Sequence, residues 1–597
     1  MEYPMLNPTA SRQVWTEEFS GLDRRPRTGN GSFSAMGNMT GENWPLLCSR
    51  KKRGVVAELE RPLGLLAAEK LAWIDGPALY YDGKPTPISN LSLEEDMLPK
   101  QLISMGAYLL VFPDGVYWNT ANPEEYGSVN RLYETAAGQA VRFSLCGQDG
   151  AEYEREDMTV GDEPPREPQA GAYWLDTREG DRTLYRWNGE WTSVTDVYIR
   201  VSAPGIGAGL KLRDGVTLSG VCYTGENETV KKQLEALNET HIIQALGENF
   251  IVITGTLDEN VVQTEGAVRA DRKAPRMDYI VECNNRLWGC RHGDQDGATV
   301  NQIYACALGD FTNWRKYSGT SQDSYLVHVG SDGPFTGAAV HRGNPCFFKE
   351  NCLHRVYGDY PANFQLQTTQ CDGVLLGCAA TLTVYNGLMY YLGAHGVQRF
   401  ESLPECVSQA LGQGPWTGGA AGAINGLYYL SVREAGGGWS LYVLDTQRML
   451  WHRQDDARAL AFAALNGEMY MLCQNGMLYA LNGEAGEPES GEITWYAETP
   501  PMGYAYPEKQ YMQRFLFRMK LGRGAVCRAL VQYDGDGLWL PRGTLQGTGR
   551  TGLYLLPIVP RRCESMRVRL EGEGNMELYG MARVLSAGSD GGIGAGT

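Results

Sequence analysis

A short phrase that returns about every 40 residues constrains this fold more than any other feature. Between residues 278 and 483, a turn pair precedes a β-branched or aromatic run, and successive Asn positions differ by 59, 42, 39 and 41. Asn-Gly suits a type I′ hairpin turn, because both central residues take positive φ. Strands and tight turns at this spacing are typical of four-stranded propeller blades. The phrase begins at Asn285, Asn344, Asn386, Asn425 and Asn466.

The pattern predicts a mainly all-β chain built on an interrupted β-propeller of about six to eight blades. Two earlier hairpins, Leu71–Gly83 and Tyr108–Trp118, predict that the first blades precede a long insertion. We divide the chain into an extended arm (1–54), first blades (55–121), inserted small β or α+β modules (122–272), remaining blades (273–484), a C-terminal β-sandwich (490–586) and a flexible tail (587–597).

The insertion contains two recognisable parts. An aromatic hairpin spans 171–194, and a β-module spans 197–255. The module holds the one clear helix, because Val230, Leu234 and Leu237 fall on one helical face.

Composition limits the classes of protein to consider. A chain of 597 residues is long enough for three or four domains, and 74 Gly with 33 Tyr favour β-structure rich in turns. A net charge of −17 argues against a surface that binds nucleic acid throughout. The 14 Cys form no Cys-x-x-Cys pair, which indicates reduced thiols in a protein made in a cytosol. We expect neither a signal peptide nor a membrane span.

No motif in the sequence predicts catalysis. Nucleophile elbows of the Gly-x-Ser-x-Gly kind and Walker loops are missing, and the seven His show no zinc spacing. Propellers do host glycosidases, but no pair of acids can be singled out among 70. We therefore expect no enzymatic activity, no metal and no cofactor.

The aromatic hairpin allows two interpretations. Its rings could stack on sugars as a glycan platform, or they could fill the core of a module too small to bury much else, and the second interpretation is favoured. The candidate platform residues are Trp174, Tyr185, Trp187 and Trp191.

From residue 284 onward the sequence resembles a known group of proteins. It is similar to propeller-bearing virion proteins of phages and prophages of gut Firmicutes and, more distantly, to the tail nozzle (tail tubular or DNA-stabilising) proteins of short-tailed phages. The segments that carry the resemblance are Asn285–Cys290, Val300–Ala305, Leu308–Trp314, Asp323–Tyr325, Gly330–Gly337, Phe347–Glu350, Leu441–Asp445, Trp451–His452, Gln532–Asp534, Pro560–Cys563 and Leu570–Gly572. The opening arm fits the same pattern, so the resemblance spans nearly the whole chain.

The resemblance implies a non-enzymatic structural protein of the virion tail, made in the bacterial cytoplasm. It would form a ring, expected to be a hexamer, below the portal and adaptor, and its channel would retain the genome and conduct it during ejection. Contact with genomic DNA would be transient and non-specific. The matching positions implied to have structural roles are Arg286, Trp288, Asp310, Trp314, Asp323, Ser324, Tyr325, Lys349, Glu350, Trp451 and Arg562.

Two further expectations concern partners. A basic cluster in the arm is expected to face acidic surfaces of neighbouring subunits rather than the genome; its members are Arg24, Arg25, Arg27, Arg50, Lys51, Lys52 and Arg53. The alternative function is a tail-tip adhesin or baseplate protein that binds host-surface glycans through the aromatic hairpin or the sandwich.

Overall fold

Short antiparallel strands joined by tight turns make up most of the chain. The computed structural model describes residues 11–156, 158–178, 182–295, 297–412, 414–502, 510–558 and 561–587. The first ten residues of the predicted arm and residues 588–597 of the predicted tail lie outside this part. The predicted class, an all-β interrupted propeller with inserted modules and a sandwich, is confirmed.

In the described part of the chain, seven sheets form a ring of blades; six are four-stranded, and the seventh has five strands. The inner strand of each blade contacts that of the next, and blade 7 contacts blade 1, so the ring is closed. Blade 1 consists of Pro62–Ala67, Leu71–Asp75, Ala78–Tyr81 and Lys84–Pro85. Blade 2 consists of Gln101–Met105, Tyr108–Phe112, Val116–Asn119 and Tyr126–Ser128. Blade 3 consists of Tyr279–Cys283, Arg286–Gln295, Ala298–Ala305 and Tyr325–His328. Blade 4 consists of Gly337–His341, Asn344–Lys349, Cys352–Tyr357 and Gln365–Gln370. Blade 5 consists of Thr383–Tyr385, Leu388–Gly393, Gly396–Phe400 and Pro404–Cys406. Blade 6 consists of Gly419–Ile424, Leu427–Arg433, Trp439–Asp445 and Leu450–Arg453.

Blade 7 joins the two ends of the propeller. Gly54–Glu58, at the boundary between the predicted arm and the predicted first blades, pairs with the strand Met477–Ala480 and completes the blade. The sequence assigned this segment to the first blades, and that placement is corrected. Pairing an early strand with a late one closes the ring and hides its free edges. The other strands of this sheet are Ala459–Leu465, Glu468–Cys473 and Glu487–Pro488.

The repeated turns adopt the expected conformation. Asn425 and Gly426 have φ of 51° and 83°, and the other two Asn-Gly repeats are similar, as type I′ turns require. In blade 3 the turn is Asn284-Asn285, and in blade 4 it is Arg342-Gly343. The phrase therefore begins one or two residues earlier there than the sequence pattern indicated.

The inserted domain separates blades 2 and 3. A five-stranded sheet and a three-stranded sheet enclose its core together with the helix Glu228–Glu235. Val230, Leu234 and Leu237 are buried there, as their spacing predicted. The strands are Ala245–Gly247, Phe250–Thr254, Tyr198–Ser202, Val141–Cys146 and Val261–Gln263 in the first sheet and Thr240–Ile242, Gly215–Ser219 and Arg269–Asp271 in the second.

A separate four-stranded sheet, the distal sheet, lies within the insertion. It is formed by Met158–Gly161, Tyr173–Asp176, Thr183–Trp187 and Trp191–Val194. The first two strands pair in parallel and the others form an antiparallel meander.

The C-terminal sandwich is completed by strands from the N-terminal arm. Ser11–Thr16 pairs along Met576–Ala587, so the two ends of the described chain share one sheet. The first sheet contains Met39–Thr40, Leu47–Ser49, Met576–Ala587, Gln510–Leu521, Thr551–Leu556, Ser11–Thr16 and Arg562–Cys563, and the second contains Ala35–Gly37, Thr494–Glu498, Met566–Glu573, Val526–Tyr533 and Leu540–Gln546. The remaining elements are the paired strands Gly21–Leu22 and Ser32–Phe33 and the 3₁₀ turns Glu95–Met97, Pro361–Asn363, Ala379–Thr381 and Gln409–Leu411.

One apolar core runs from the arm through blades 4 to 6 into the sandwich. Phe19 and Met36 of the arm, Tyr428 and Trp451 of blade 6, and Phe517 of the sandwich are all buried in it. The arm, propeller and sandwich are therefore packed as one body.

Candidate functional site

The basic cluster of the arm divides into buried and exposed members. Arg53 forms an ion pair with Asp455 at 2.8 Å, and Arg50 pairs with both Glu489 and Asp455. Burial alone would raise the pKa of Asp455, but Arg53 and Arg50 lower it overall. Both arginines are buried and paired with acids of the same chain, which corrects the prediction that they face neighbouring subunits. Their acidic partners lie more than 400 residues away along the chain, so no local pattern could predict the pairing.

The other members of the cluster lie nearer the surface. Arg24 lies 3.6 Å from Glu434, Arg25 lies 2.6 Å from Asp23, and Lys51 is 71% exposed. Arg27 and Lys52 are not buried either. Their predicted contact with neighbouring subunits stays a prediction.

Six of the predicted motif positions meet around one loop of blade 3, residues 306–324, which we call the docking loop. Arg286 is 2% exposed and donates to the carbonyl oxygens of Cys306, Asp323 and Ser321 at 2.8, 2.6 and 2.7 Å. These bonds pin both ends of the loop to the blade. The positions gathered here are Arg286, Asp310, Trp314, Asp323, Ser324 and Tyr325.

Asp323 organises the turn inside the docking loop. Its carboxylate accepts hydrogen bonds from the backbone nitrogens of Gly319 at 2.6 Å and Thr320 at 3.2 Å, and from the hydroxyl of Ser318 at 2.7 Å. Burial raises the pKa of Asp323, but the hydrogen bonds from Ser318 and Thr320 lower it overall. Asp323 therefore acts as a cap for backbone donors.

The docking loop holds the inserted domain on the propeller. Asn313 of the loop donates to Asp214 of the insert at 2.7 Å, and Arg272 binds the other oxygen of Asp214 at 2.7 Å. Lys211 reaches Asp310 at 3.1 Å, and Arg315 bonds to Thr217 at 3.0 Å. Asp214 and Arg272 were not identified from the sequence, because isolated Asp and Arg residues there look like ordinary surface residues.

The remaining motif positions also make internal contacts. Lys349 donates to the carbonyl oxygen of Ser331 at 2.7 Å, and Glu350 accepts from the backbone nitrogen of Leu376 at 3.1 Å. Trp288 packs on Phe364 with ring centroids 5.1 Å apart. The buried indole of Trp451 donates to the carbonyl oxygen of Val407 at 2.8 Å. The side chain of Arg562 lies outside the described part of the structure.

The four candidate platform residues lie together on one face of the distal sheet, which we call the aromatic face. Trp174 stands directly opposite Tyr185, and Trp187 directly opposite Trp191. Ring centroids are 5.1 Å apart for Trp174 and Tyr185, and 5.2 Å for Trp187 and Trp191. Trp174 is 4% exposed, and the other three are half-buried.

The opposite face of the distal sheet forms a small apolar core. Leu175 and Leu184 pack there against Leu145 of the insert. Since alternate residues of a strand point to opposite faces, the aromatic face is directed away from this core.

Charged side chains fix the distal sheet and border its aromatic face. Arg155 donates to the carbonyl oxygens of Leu257 and Asp258 at 2.8 and 2.9 Å, which ties the sheet to the rest of the insert. Arg178 lies 5.4 Å from the Trp174 ring, and its hydrogen bond lowers the pKa of Asp176. Half-buried aromatic rings can stack on the apolar faces of sugars, and a charged pair beside them can hydrogen-bond the sugar hydroxyls.

Two general features of the described residues bear on this site. Among these residues, no group of three or more His, Cys, Asp or Glu side chains is arranged to hold a metal ion. In the same ranges, no helix combines the length and apolar character needed to cross a bilayer.

Comparisons with known proteins give only distant likenesses. No family model and no curated protein matches the sequence. Among solved structures, BamB from Moraxella catarrhalis is 11% identical, with 65% of this chain and 94% of that chain covered and a TM-score of 0.25. PorZ of Porphyromonas gingivalis is 11% identical, with 88% and 89% covered and a TM-score of 0.24. The endosialidase of phage phi92 is 9% identical, with 88% and 77% covered and a TM-score of 0.21.

The structural matches correct one prediction. The sequence led us to expect a protein with no enzymatic activity, but the matched structures include glycoside hydrolases as well as the endosialidase. Enzymes are therefore among the proteins this chain is similar to, and the prediction of no enzymatic activity was wrong on that point. The low identity and TM-scores transfer no reaction to this chain.

Proposed function

We propose that this chain is a structural protein of a phage tail, forming a nozzle or hub ring through which the genome is retained and then ejected. The observation that carries the proposal is the way both ends of the described part of the chain are built into the body. Ser11–Thr16 pairs with Met576–Ala587, and Gly54–Glu58 completes blade 7. Force on either end is then resisted by whole ladders of hydrogen bonds, which suits a part that must stay folded under load.

The charge supports a channel role. A hexamer, with −17 per copy, would be strongly anionic. A lumen of the same sign as DNA would let phosphates pass without forming ion pairs. The proposed partners are further copies of the chain, the portal and adaptor, other tail proteins and, transiently, genomic DNA, with assembly in the host cytoplasm.

Labelling of virus particles tests the proposal. Particles released by the bacterium that encodes the chain would be purified and stained with a gold-conjugated antibody raised against it. We expect the label at the tail, just below the head. Particles without label, or label at the capsid alone, would contradict a tail role, and label only at the distal end would favour the second candidate.

The second candidate function is binding of host-surface glycans, and the aromatic face favours it. Its rings lie on the side of the distal sheet turned away from the leucine core and are only half-buried. Polar side chains adjoin them, with Arg178 over Trp174 and Ser193 directly opposite Tyr185. Sugar rings bind such surfaces through stacking and a few hydrogen bonds.

A glycan array with the full-length chain tests this second function. We expect binding that is lost in Trp187→Ala and kept in Trp44→Ala, a matched control at an exposed tryptophan of the arm. Equal binding by both variants, or none by the wild type, would remove the glycan-binding candidate. Circular dichroism of each variant shows whether the fold is intact.

A further inference from the structure

The strand Thr551–Leu556 lies at the edge of the first sandwich sheet with exposed apolar side chains. Within the described residues it pairs on one side, with Gln510–Leu521, and ends the sheet on the other. It contains no charged residue, and Leu553 and Leu555 are 62% and 58% exposed. Natural proteins usually protect such edges with charges or proline, because unpaired backbone groups beside apolar side chains recruit another chain.

An apolar stripe leads from this edge across the sheet. Leu555 stands opposite Leu516, Leu516 opposite Ala582, and Ala582 opposite Trp15. Directly opposed residues share one face of a sheet, so these side chains lie in one line, in which Leu516 is half-buried and Ala582 is buried. Trp15, at the far end, is 41% exposed.

The charge around the stripe is opposite to that of the rest of the molecule. Residues 492–587 contain 13 Lys and Arg against 9 Asp and Glu, a net charge of +4 in a chain whose total is −17. The remainder of the chain therefore carries −21. Arg514, Arg518 and Arg550, next to the edge strand, are exposed.

The inserted domain supplies a surface of the complementary sign. Residues 129–277 contain 16 Lys and Arg against 24 Asp and Glu, a net charge of −8. Several of these acids are exposed on the segment that leads into and follows the first strand of the distal sheet, namely Glu154, Glu156, Asp162 and Glu163.

We propose that the edge strand Thr551–Leu556 and its flanking arginines form the docking surface for a second copy of this chain, which presents its acidic insert. Burial of the apolar stripe would stabilise the contact. The opposite charges would orient the approaching copy, and repulsion between like charges would exclude an edge-to-edge contact between two basic sandwiches. Such a contact joins two different surfaces, so repeated copies build a ring when the rotation closes. This inference names the contact between neighbouring copies in the proposed ring, and it rests on the proposed function for the closure of that ring.

Sedimentation equilibrium of the full chain, from about 0.5 to about 50 µM, tests the surface. The edge variant carries Leu553→Lys with Leu555→Lys, and the control carries Leu403→Lys, at a leucine of the propeller that is 65% exposed. We expect the wild type and control to self-associate and the edge variant to bind at least about tenfold more weakly. Thermal unfolding shows whether each variant folds.

A charge-exchange pair tests the orientation. Arg514→Glu with Arg518→Glu should weaken self-association, and adding Glu154→Lys with Glu156→Lys in the same chain should restore part of it. Association should also weaken as salt is added. Self-association that persists unchanged in the edge and charge variants would overturn the proposed surface while leaving a ring possible through another one.

A wild type that stays monomeric at about 50 µM would also overturn the docking surface. The antibody labelling of particles is independent of that result, so a tail role could stand or fall separately.

Discussion

The sandwich and the inserted domain are attached to the same propeller in different ways. The sandwich, the arm and blades 4 to 6 share one continuous apolar core, reinforced by the buried pairs of Arg50 and Arg53. The insert has a core of its own, drawn from residues 141–270, and meets the docking loop through polar contacts around Asp214. The first junction should unfold together with the propeller, whereas the second should be able to open locally.

The difference shows how a rigid scaffold can carry a replaceable module. Fused cores transmit strain and resist separation, since removing one part exposes apolar surface on the other. A polar junction costs less to open and tolerates changes in the module beyond it. The aromatic face and the exposed acids around Glu154 and Glu163 belong to the module, while the edge strand Thr551–Leu556 and its flanking arginines belong to the fused body.

Loss of Arg53 should have the largest effect. In Arg53→Met, the half-buried Asp455 loses its 2.8 Å partner and keeps only Arg50 at 3.6 Å, and we expect a global loss of about 3 kcal/mol in the free energy of unfolding. Urea denaturation followed by tryptophan fluorescence measures it. The control Lys51→Met, at an exposed member of the same basic run, should change stability by less than about 0.5 kcal/mol. Equal effects in the two variants would contradict a fused junction.

Acid should weaken the fused junction through His452. The imidazole of His452 packs against Gly41 of the arm so closely that a Cβ added to this glycine would lie 2.5 Å from Cε1 of the ring. Burial lowers the pKa of His452 to about 4. The unfolded chain binds the proton near pH 6.5, so stability is lost as the pH falls from about 6.5 to about 4, by about 3 kcal/mol.

Unfolding curves at several pH values check this prediction. The variant His452→Gln should lose less stability than the wild type over that window. A residual loss is expected, because burial also lowers the pKa of His354 to about 4. Identical pH profiles for wild type and variant would show that His452 does not titrate in this way.

Breaking the polar junction should act locally. In Asp214→Asn, the buried Arg272 loses its charged partner, and we expect the insert to open more easily by about 1–3 kcal/mol. Hydrogen exchange should rise in residues 129–277 and in the docking loop but not in blades 4 to 6. Increased exchange throughout the propeller would mean that the insert is not an independent unit.

The smallest effect on stability is expected at the aromatic face. Trp187→Ala removes a half-buried ring outside the leucine core, so the loss should stay below about 1 kcal/mol. Thermal unfolding measures the loss. The contrasting variant is Leu184→Ala, which should lower the free energy of unfolding by about 2–5 kcal/mol because Leu184 is 1% exposed. A large loss in Trp187→Ala would indicate a structural role for the ring.

Local patterns predicted much of the fold and little of how its parts join. The Asn-Gly repeats identified blades, because a type I′ turn depends only on the two residues that form it. The aromatic hairpin was predicted as a unit, but its orientation was not. Tyr173, Trp174 and Leu175 are apolar on both faces of the strand, so alternation could not tell which face would be buried.

Spacing and turn chemistry act over a few residues, and they were enough to predict the blades, the insertion and the helix Glu228–Glu235. Tertiary packing alone places the arm in the sandwich, adds Gly54–Glu58 to blade 7, pairs Arg53 with Asp455 and joins the insert to the docking loop through Asp214. Each of these contacts unites residues tens to hundreds of positions apart, and a partner at that distance is selected by the packing of whole domains rather than by any local pattern.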